Sequence, residues 1–265
     1  MKVQRRQLGG IHYYLQMDDE GNIHSVSQSL ELLLQGRGLL SQSLIEKLSS
    51  NEGKILSPVP VGKIVAIGLN YRAHAEESKK PLPPEPLLFM KPASAVIAHL
   101  EPILLPSQSQ EVHYEGELAV VIGKTARDVS APNANAYILG YTILNDVTAR
   151  DIQRREGKYT HAKGFDTFAP MGPCLVTDLD PLKCTLETRV NHTIRQSSPC
   201  NDMIFSIPEL IAFVSSIMTL QPFDVITTGT PSGVGPITHG DTVQISISGI
   251  GTLENPVRHR TYGNP

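Results

Sequence analysis

The sequence predicts a mainly β fold of the α+β class, a roll or sandwich preceded by a small αβ unit, and three observations carry this. Short apolar runs recur from IVAIG onward, separated at modest intervals by turn residues. Within that stretch Phe205 to Met218 and Asn133 to Ile138 are the segments that read as helices, too few for a parallel wound sheet. A hydrophobic content of 40% over 265 residues suffices for a substantial core without staples.

Residues 1 to about 55 read as a strand pair, IHYYLQ and NIHSVS across a turn at Asp19 to Asn22, followed by one helix through LELLLQGRGLLSQSLIEKL. The two prolines of ILSPVPVGKIVAIG place a boundary near Ser57 to Val61, giving domains 1–57 and 58–265. After the strand VAIG comes GLNYRAHAEESKKPLPPEP, where His74 and Glu77 share one face of a helical turn. Such a pair either relays a proton or activates water, or faces solvent with no role. The prolines from Pro81 to Pro86 end the turn and read as a mobile lid.

HYEGELAVVIG reads as a strand with His113, Glu115 and Glu117 on one face. The run from Leu118 to Ile122 is apolar on both faces, as in a strand covered on both sides. A like-charge pair at its mouth either meets water or needs a cation or a proton. YTILNDVTARDIQ ends an apolar strand in Asn145 and Asp146, where chains commonly build ligand sites. Asp146 either caps the helix TARDIQRRE or joins the two glutamates in an all-oxygen set suited to Mg²⁺, Mn²⁺ or Ca²⁺ rather than zinc. Lys163, in HAKGFDTFAPMGP, is either a snorkelling surface lysine or the partner of a carboxylate or oxyanion. ITTGTPSGVGP lacks the Gly-Lys-Ser/Thr of a phosphate loop, but its amides and hydroxyls could cradle a carboxylate.

The net charge of -3 leaves no footprint for nucleic acid. Cys174, Cys184 and Cys200 suggest neither a disulfide framework nor a zinc site. The N-terminal residues lack a signal-peptide core, and no run reaches the roughly 20 apolar residues of a membrane span, so a cytoplasmic protein is expected.

Taken in order, GLNYRAHAEE, PLLFMKP, EVHYEGELAVVIGK, NDVTARDIQ, HAKGFDTFAPMGP and TTGTPSGVG resemble the fumarylacetoacetate hydrolase family over roughly residues 60 to 255. LLPSQSQEVHYEGELAVVIGK and GFDTFAPMGP are most similar to its fumarylacetoacetate hydrolase domain-containing proteins. The resemblance implies a β-roll catalytic domain, a homodimer, and Mg²⁺ or Mn²⁺ held at Glu115, Glu117 and Asp146. It also implies a catalytic lid dyad at His74 and Glu77, a catalytic lysine at Lys163, and substrate contacts at Arg150, Gln153 and Thr230. The expected substrate is a small 2-oxo acid or 1,3-dicarbonyl, turned over through a cation-stabilised enolate. The leading outcome is hydrolysis of the carbon-carbon bond of an acylpyruvate, or decarboxylation of oxaloacetate. Oxaloacetate keto-enol tautomerisation or isomerisation of a hydroxymuconate-type acid is the alternative. A carboxylate-binding module without turnover is the expectation from another class, and the presence of Lys163 and the dyad argues against it.

Overall fold

The computed structural model describes residues 1–50 and 52–260; Asn51 and the final residues 261–265 of the larger predicted domain lie outside the described ones. Strands dominate. The largest sheet has eleven, in the order Ile23–Ser27, Ile11–Met17, Lys2–Leu8, Ala169–Val176, Ile138–Asn145, Gly116–Ile122, Val225–Thr227, Ile64–Gly68 and Leu87–Lys91, with Lys54–Leu56 and Val96–Ile97 attached off this path. A five-stranded sheet runs Thr193–Pro199, Thr185–Val190, Thr242–Ile247, Gly251–His259 and Ile103–Leu105. Thr148–Ala149, Val112–Tyr114 and Gly235–Ile237 form a third, three-stranded one.

Gly116–Ile122 explains why its run is apolar on both faces. Leu118, Val120 and Ile122 pack into the main core with Leu186, Ile245 and Leu253 of the five-stranded sheet and Leu210, Ile211 and Val214 of the helix Ile207–Ile217. Ala119 and Val121 face the opposite way, into a second cluster with Leu30 and Leu33 of the N-terminal unit. Each Leu, Ile or Val fully buried here contributes about 1.5–3 kcal/mol relative to exposure, so the strand is anchored from two sides.

Three expectations are corrected. The helix read through LELLLQGRGLLSQSLIEKL is two, Leu30–Leu34 and Gln42–Ser49. Gly36 and Gly38 at φ +66 and +62 end the first in a left-handed turn that a helix cannot continue through. Asn133 to Ile138 lies not in an α-helix but mostly in the 3₁₀ segment Ala131–Tyr137. HYEGELAVVIG is not one strand: Val112–Tyr114 belongs to the three-stranded sheet and Gly116–Ile122 to the largest, with the change at Glu115. Just past the change, the chain passes so close to the five-stranded sheet that a Cβ on Gly116 would lie 2.5 Å from Thr188 Oγ1 and 3.1 Å from Ile245 Cγ2. The Gly116 N–H donates to Gln196 Oε1 at 3.0 Å rather than to a strand. Lys2–Leu8, whose polar residues gave no strand signal, pairs with Ala169–Val176 and joins the N-terminal strands to the largest sheet.

Candidate metal and substrate site

The break at Glu115 sets up the site. Glu115 lies at the junction of two sheets, Glu117 one residue into Gly116–Ile122, and Asp146 just beyond the paired strand Ile138–Asn145. Asp146 N–H donates to Glu115 C=O at 2.8 Å and Glu115 N–H to Asn145 Oδ1 at 3.0 Å, so the two chain segments are locked together. One oxygen from each of the three buried carboxylates lies within 4.8 Å of the others. Asp146 does not cap the following helix: Arg150–Glu156 starts after Ala149 without a side-chain cap.

Each carboxylate has a different charge environment. Lys163 Nζ, on the short helix Tyr159–Lys163, donates to Asp146 Oδ2 at 2.5 Å, Glu115 Oε2 at 2.9 Å and Thr148 Oγ1 at 2.8 Å, using all three of its protons. The Arg150 guanidinium donates to Glu115 Oε1 and to Gln153 Oε1. Burial works to raise the Glu115 pKa, but Lys163 and Arg150 outweigh it and hold the carboxyl well below its usual range. Glu117 is only 1% exposed, accepts the Gly229 amide at 3.1 Å, and has no ion-pair partner among the described residues. Burial, with the charges of Asp146 and Glu115 beside it, pushes its pKa well above the usual range. Glu117 is thus the one of the three carboxyls whose charged form the surrounding chain disfavours.

A cavity of about 580 Å³ opens over this floor, lined among others by His74, Phe89, His113, Arg150, Gln153, Lys163 and Thr230. His74 sits on the helix Arg72–Glu77, its Nδ1 3.2 Å from Glu77 Oε2. Glu77 lies behind His74 and accepts the Gly233 N–H at 3.1 Å. Gly233 at φ +94 passes so close to the neighbouring strand that a Cβ would lie 2.0 Å from Arg195 C=O, so only glycine presents its amide there. The Thr230 hydroxyl donates to Gly116 C=O at 2.9 Å and accepts from Gln196 Nε2 at 2.8 Å, leaving one lone pair for any other partner. His113 also lines the cavity, with Nε2 3.0 Å from Glu111 Oε1.

All nine residues singled out from the sequence therefore converge, eight on the cavity wall and Glu77 behind it. Sequence reasoning missed Lys91 and Gln196. Lys91, at the end of Leu87–Lys91, is 1% exposed and donates to Asp146 Oδ1 at 2.6 Å. A lysine closing an apolar strand in LLFMK was the available signal. Gln196 sits in the polar run TIRQSSP, which carried none.

No helix among the described residues is long and apolar enough to cross a membrane. The chain matches the family model of the fumarylacetoacetate (FAA) hydrolase C-terminal domain over residues 63–258. It is 39% identical to the bovine mitochondrial oxaloacetate tautomerase FAHD2A over 97% of this chain and 90% of the relative. The solved 5-carboxymethyl-2-hydroxymuconate delta-isomerase of Mycobacterium smegmatis superposes with a TM-score of 0.86 at 42% identity, covering 98% of this chain and 100% of that one. Fumarylpyruvate hydrolase of Pseudomonas aeruginosa, solved with Mn²⁺ and pyruvate, superposes with a TM-score of 0.72 at 32% identity over 78% of this chain and 92% of that one. With the matched segment spanning the three carboxylates, both buried lysines and the helix Arg72–Glu77, this chain belongs to the fumarylacetoacetate hydrolase family of enzymes.

Proposed function

We propose that this enzyme turns over a small 2-oxo acid through its enolate, with Glu115, Glu117 and Asp146 as the ligands of Mg²⁺ or Mn²⁺. The observation that carries this reading is Glu117, a buried carboxylate without a cation partner beside two carboxylates that have theirs. An all-oxygen, anionic donor set fits a hard divalent ion. The Mn²⁺ and pyruvate in the Pseudomonas relative support the same cofactor and substrate class. When bound, the ion supplies Lewis-acid stabilisation of negative charge growing on a substrate oxygen.

The chain's own groups do the rest. Arg150, held in place by Glu115 and Gln153, presents a fixed guanidinium to the substrate carboxylate. Lys163 adds a second cation at the cavity wall, and Thr230 and Gln153 complete the far side. With Nδ1–H donating to Glu77, His74 has Nε2 free as a base on the cavity side. That base removes a proton from the carbon beside the 2-oxo group and returns it to oxygen, which is keto-enol tautomerisation with no atoms gained or lost. We rank this outcome first because the tautomerase and isomerase relatives match 97% and 98% of this chain. Hydrolysis of an acylpyruvate is the second reading. It is favoured by the His74 and Glu77 pair, which could activate water at the same place, and by the fumarylpyruvate hydrolase relative.

The test is to assay metal-stripped and Mn²⁺- or Mg²⁺-loaded protein against both oxaloacetate tautomers and acetylpyruvate. Turnover that requires the ion supports the reading. Full activity with EDTA present would sink the metal assignment, and acetylpyruvate cleavage outpacing tautomerisation would reverse the ranking.

A further inference from the structure

Asp146 is held by two buried lysines that do different things. Lys163 reaches Oδ2 at 2.5 Å and lines the cavity, its side chain 3% exposed. Lys91 reaches Oδ1 at 2.6 Å, has a side chain with no exposure at all, and does not contribute to the cavity wall. Lys91 also donates to Val147 C=O at 3.2 Å, so the ammonium is tied to the backbone immediately after the acid that it grips. It comes from Leu87–Lys91, registered against Ile64–Gly68 with Lys91 opposite the fully buried Ile64, so its origin is as rigid as the sheet. Lys163, by contrast, divides its protons between two carboxylates and a hydroxyl, and stacks over Phe89 with Nζ 4.8 Å from the ring centroid.

We propose that Lys91 is a positioning residue: from behind the site it fixes Asp146 through Oδ1, and so assigns Oδ2 to the cavity as the oxygen available to a divalent cation. This rests on the metal reading above and extends it to a residue that never touches substrate. In the metal-free chain Lys163 shares Oδ2, so it competes with the ion there, whereas Lys91 holds the other oxygen and does not compete. Removing the two lysines therefore acts on metal binding in opposite directions. Outer-shell partners that orient a ligand are worth about 10–100-fold in metal affinity. A general loss of buried positive charge would move both variants the same way, because the two lysines are buried to a similar degree.

The experiment is a calorimetric Mn²⁺ titration of the metal-stripped full chain as wild type, Lys91→Met and Lys163→Met, with melting temperatures recorded alongside. Lys91→Met is expected to bind Mn²⁺ about 10–100-fold more weakly than wild type. Lys163→Met should bind it as tightly as wild type or more so, while losing affinity for oxalate, a mimic of the enolate, on the Mn²⁺-loaded protein. Unchanged or tighter Mn²⁺ binding by Lys91→Met overturns the inference while leaving the metal reading standing; a wild type that binds no Mn²⁺ ends both. Should Lys91→Met not fold, a wild-type crystal with Mn²⁺ and oxalate decides: Lys91 on Oδ1 with Oδ2 on the ion supports the role. Lys91 on oxalate, or Oδ1 on the ion, overturns it.

Discussion

The floor of the site and the helix expected to act as its lid are built on opposite plans. On the floor, Glu115, Glu117, Asp146, Lys91 and Lys163 are each less than a tenth exposed and interlocked, with the backbone contact between Glu115 and Asp146 joining two sheet segments. In the lid, the His74 and Glu77 side chains are 16% and 44% exposed and sit on a six-residue helix. That helix is held by a few bonds: Glu77 to the Gly233 amide, and the Ala73 amide to Asp202. A buried charged floor must be right before any ligand arrives, because an unmatched charge there costs too much to tolerate. A lid can be loose, because its contacts need to form only around substrate. Under the proposed function the floor sets what binds and the lid sets what happens to it.

This contrast can be broken by experiment, and the largest effect falls on the floor. Glu117→Ala should reduce tautomerisation and hydrolysis alike to background, exceeding the roughly 10–100-fold cost of losing an outer-shell partner. Survival of either reaction would separate it from the metal. His74→Ala should lower turnover about 10²–10⁴-fold while leaving Mn²⁺ affinity and melting temperature near wild type. A loss of Mn²⁺ binding in that variant would show that lid and floor are one unit.

Next in size is a pH effect confined to the floor. Glu117 has its pKa raised in the fold, so the metal-free protein binds one more proton folded than unfolded over the window above the ordinary carboxyl value of 4.5. Its stability therefore falls as pH rises from that value toward the raised one. Glu115, with its pKa depressed, works the other way and loses its contribution only in acid. Saturating Mn²⁺ should cancel the loss at high pH, adding about 2.7 kcal/mol when present at a hundred times its dissociation constant. Melting curves against pH with and without Mn²⁺ check this, and a metal effect independent of pH would contradict the raised pKa of Glu117. Smallest is Glu77→Gln, which weakens the half-exposed contacts to Gly233 and His74 and should cost about 0.5–1.5 kcal/mol of stability at most. A larger drop in melting temperature would mean that the lid is as built-in as the floor.

How much of this was legible in the sequence follows the same division. Apolar runs at short spacing give the strands, since burial is a local pattern in sequence, and six ordered motifs give the family. The acids Glu115, Glu117 and Asp146 were visible as chemistry on strand ends. Their arrangement was not, because it depends on the change of sheet at Glu115 and on its bond to Asn145, 30 positions away. Nor could sequence show that Glu117 alone lacks a cation among the three, since Arg150, Lys163 and Lys91 reach the site from separate elements. Lys2–Leu8 was hidden for a related reason: Arg6 and Gln4 are polar, yet both are buried and bonded to each other.

The most direct measurement is the binding of Mn²⁺ to metal-stripped wild type and to Glu117→Gln, which keeps the shape of the side chain and removes its charge. The account predicts one ion bound per chain in the wild type and none at the same concentration in Glu117→Gln. Equal binding by the two would contradict it.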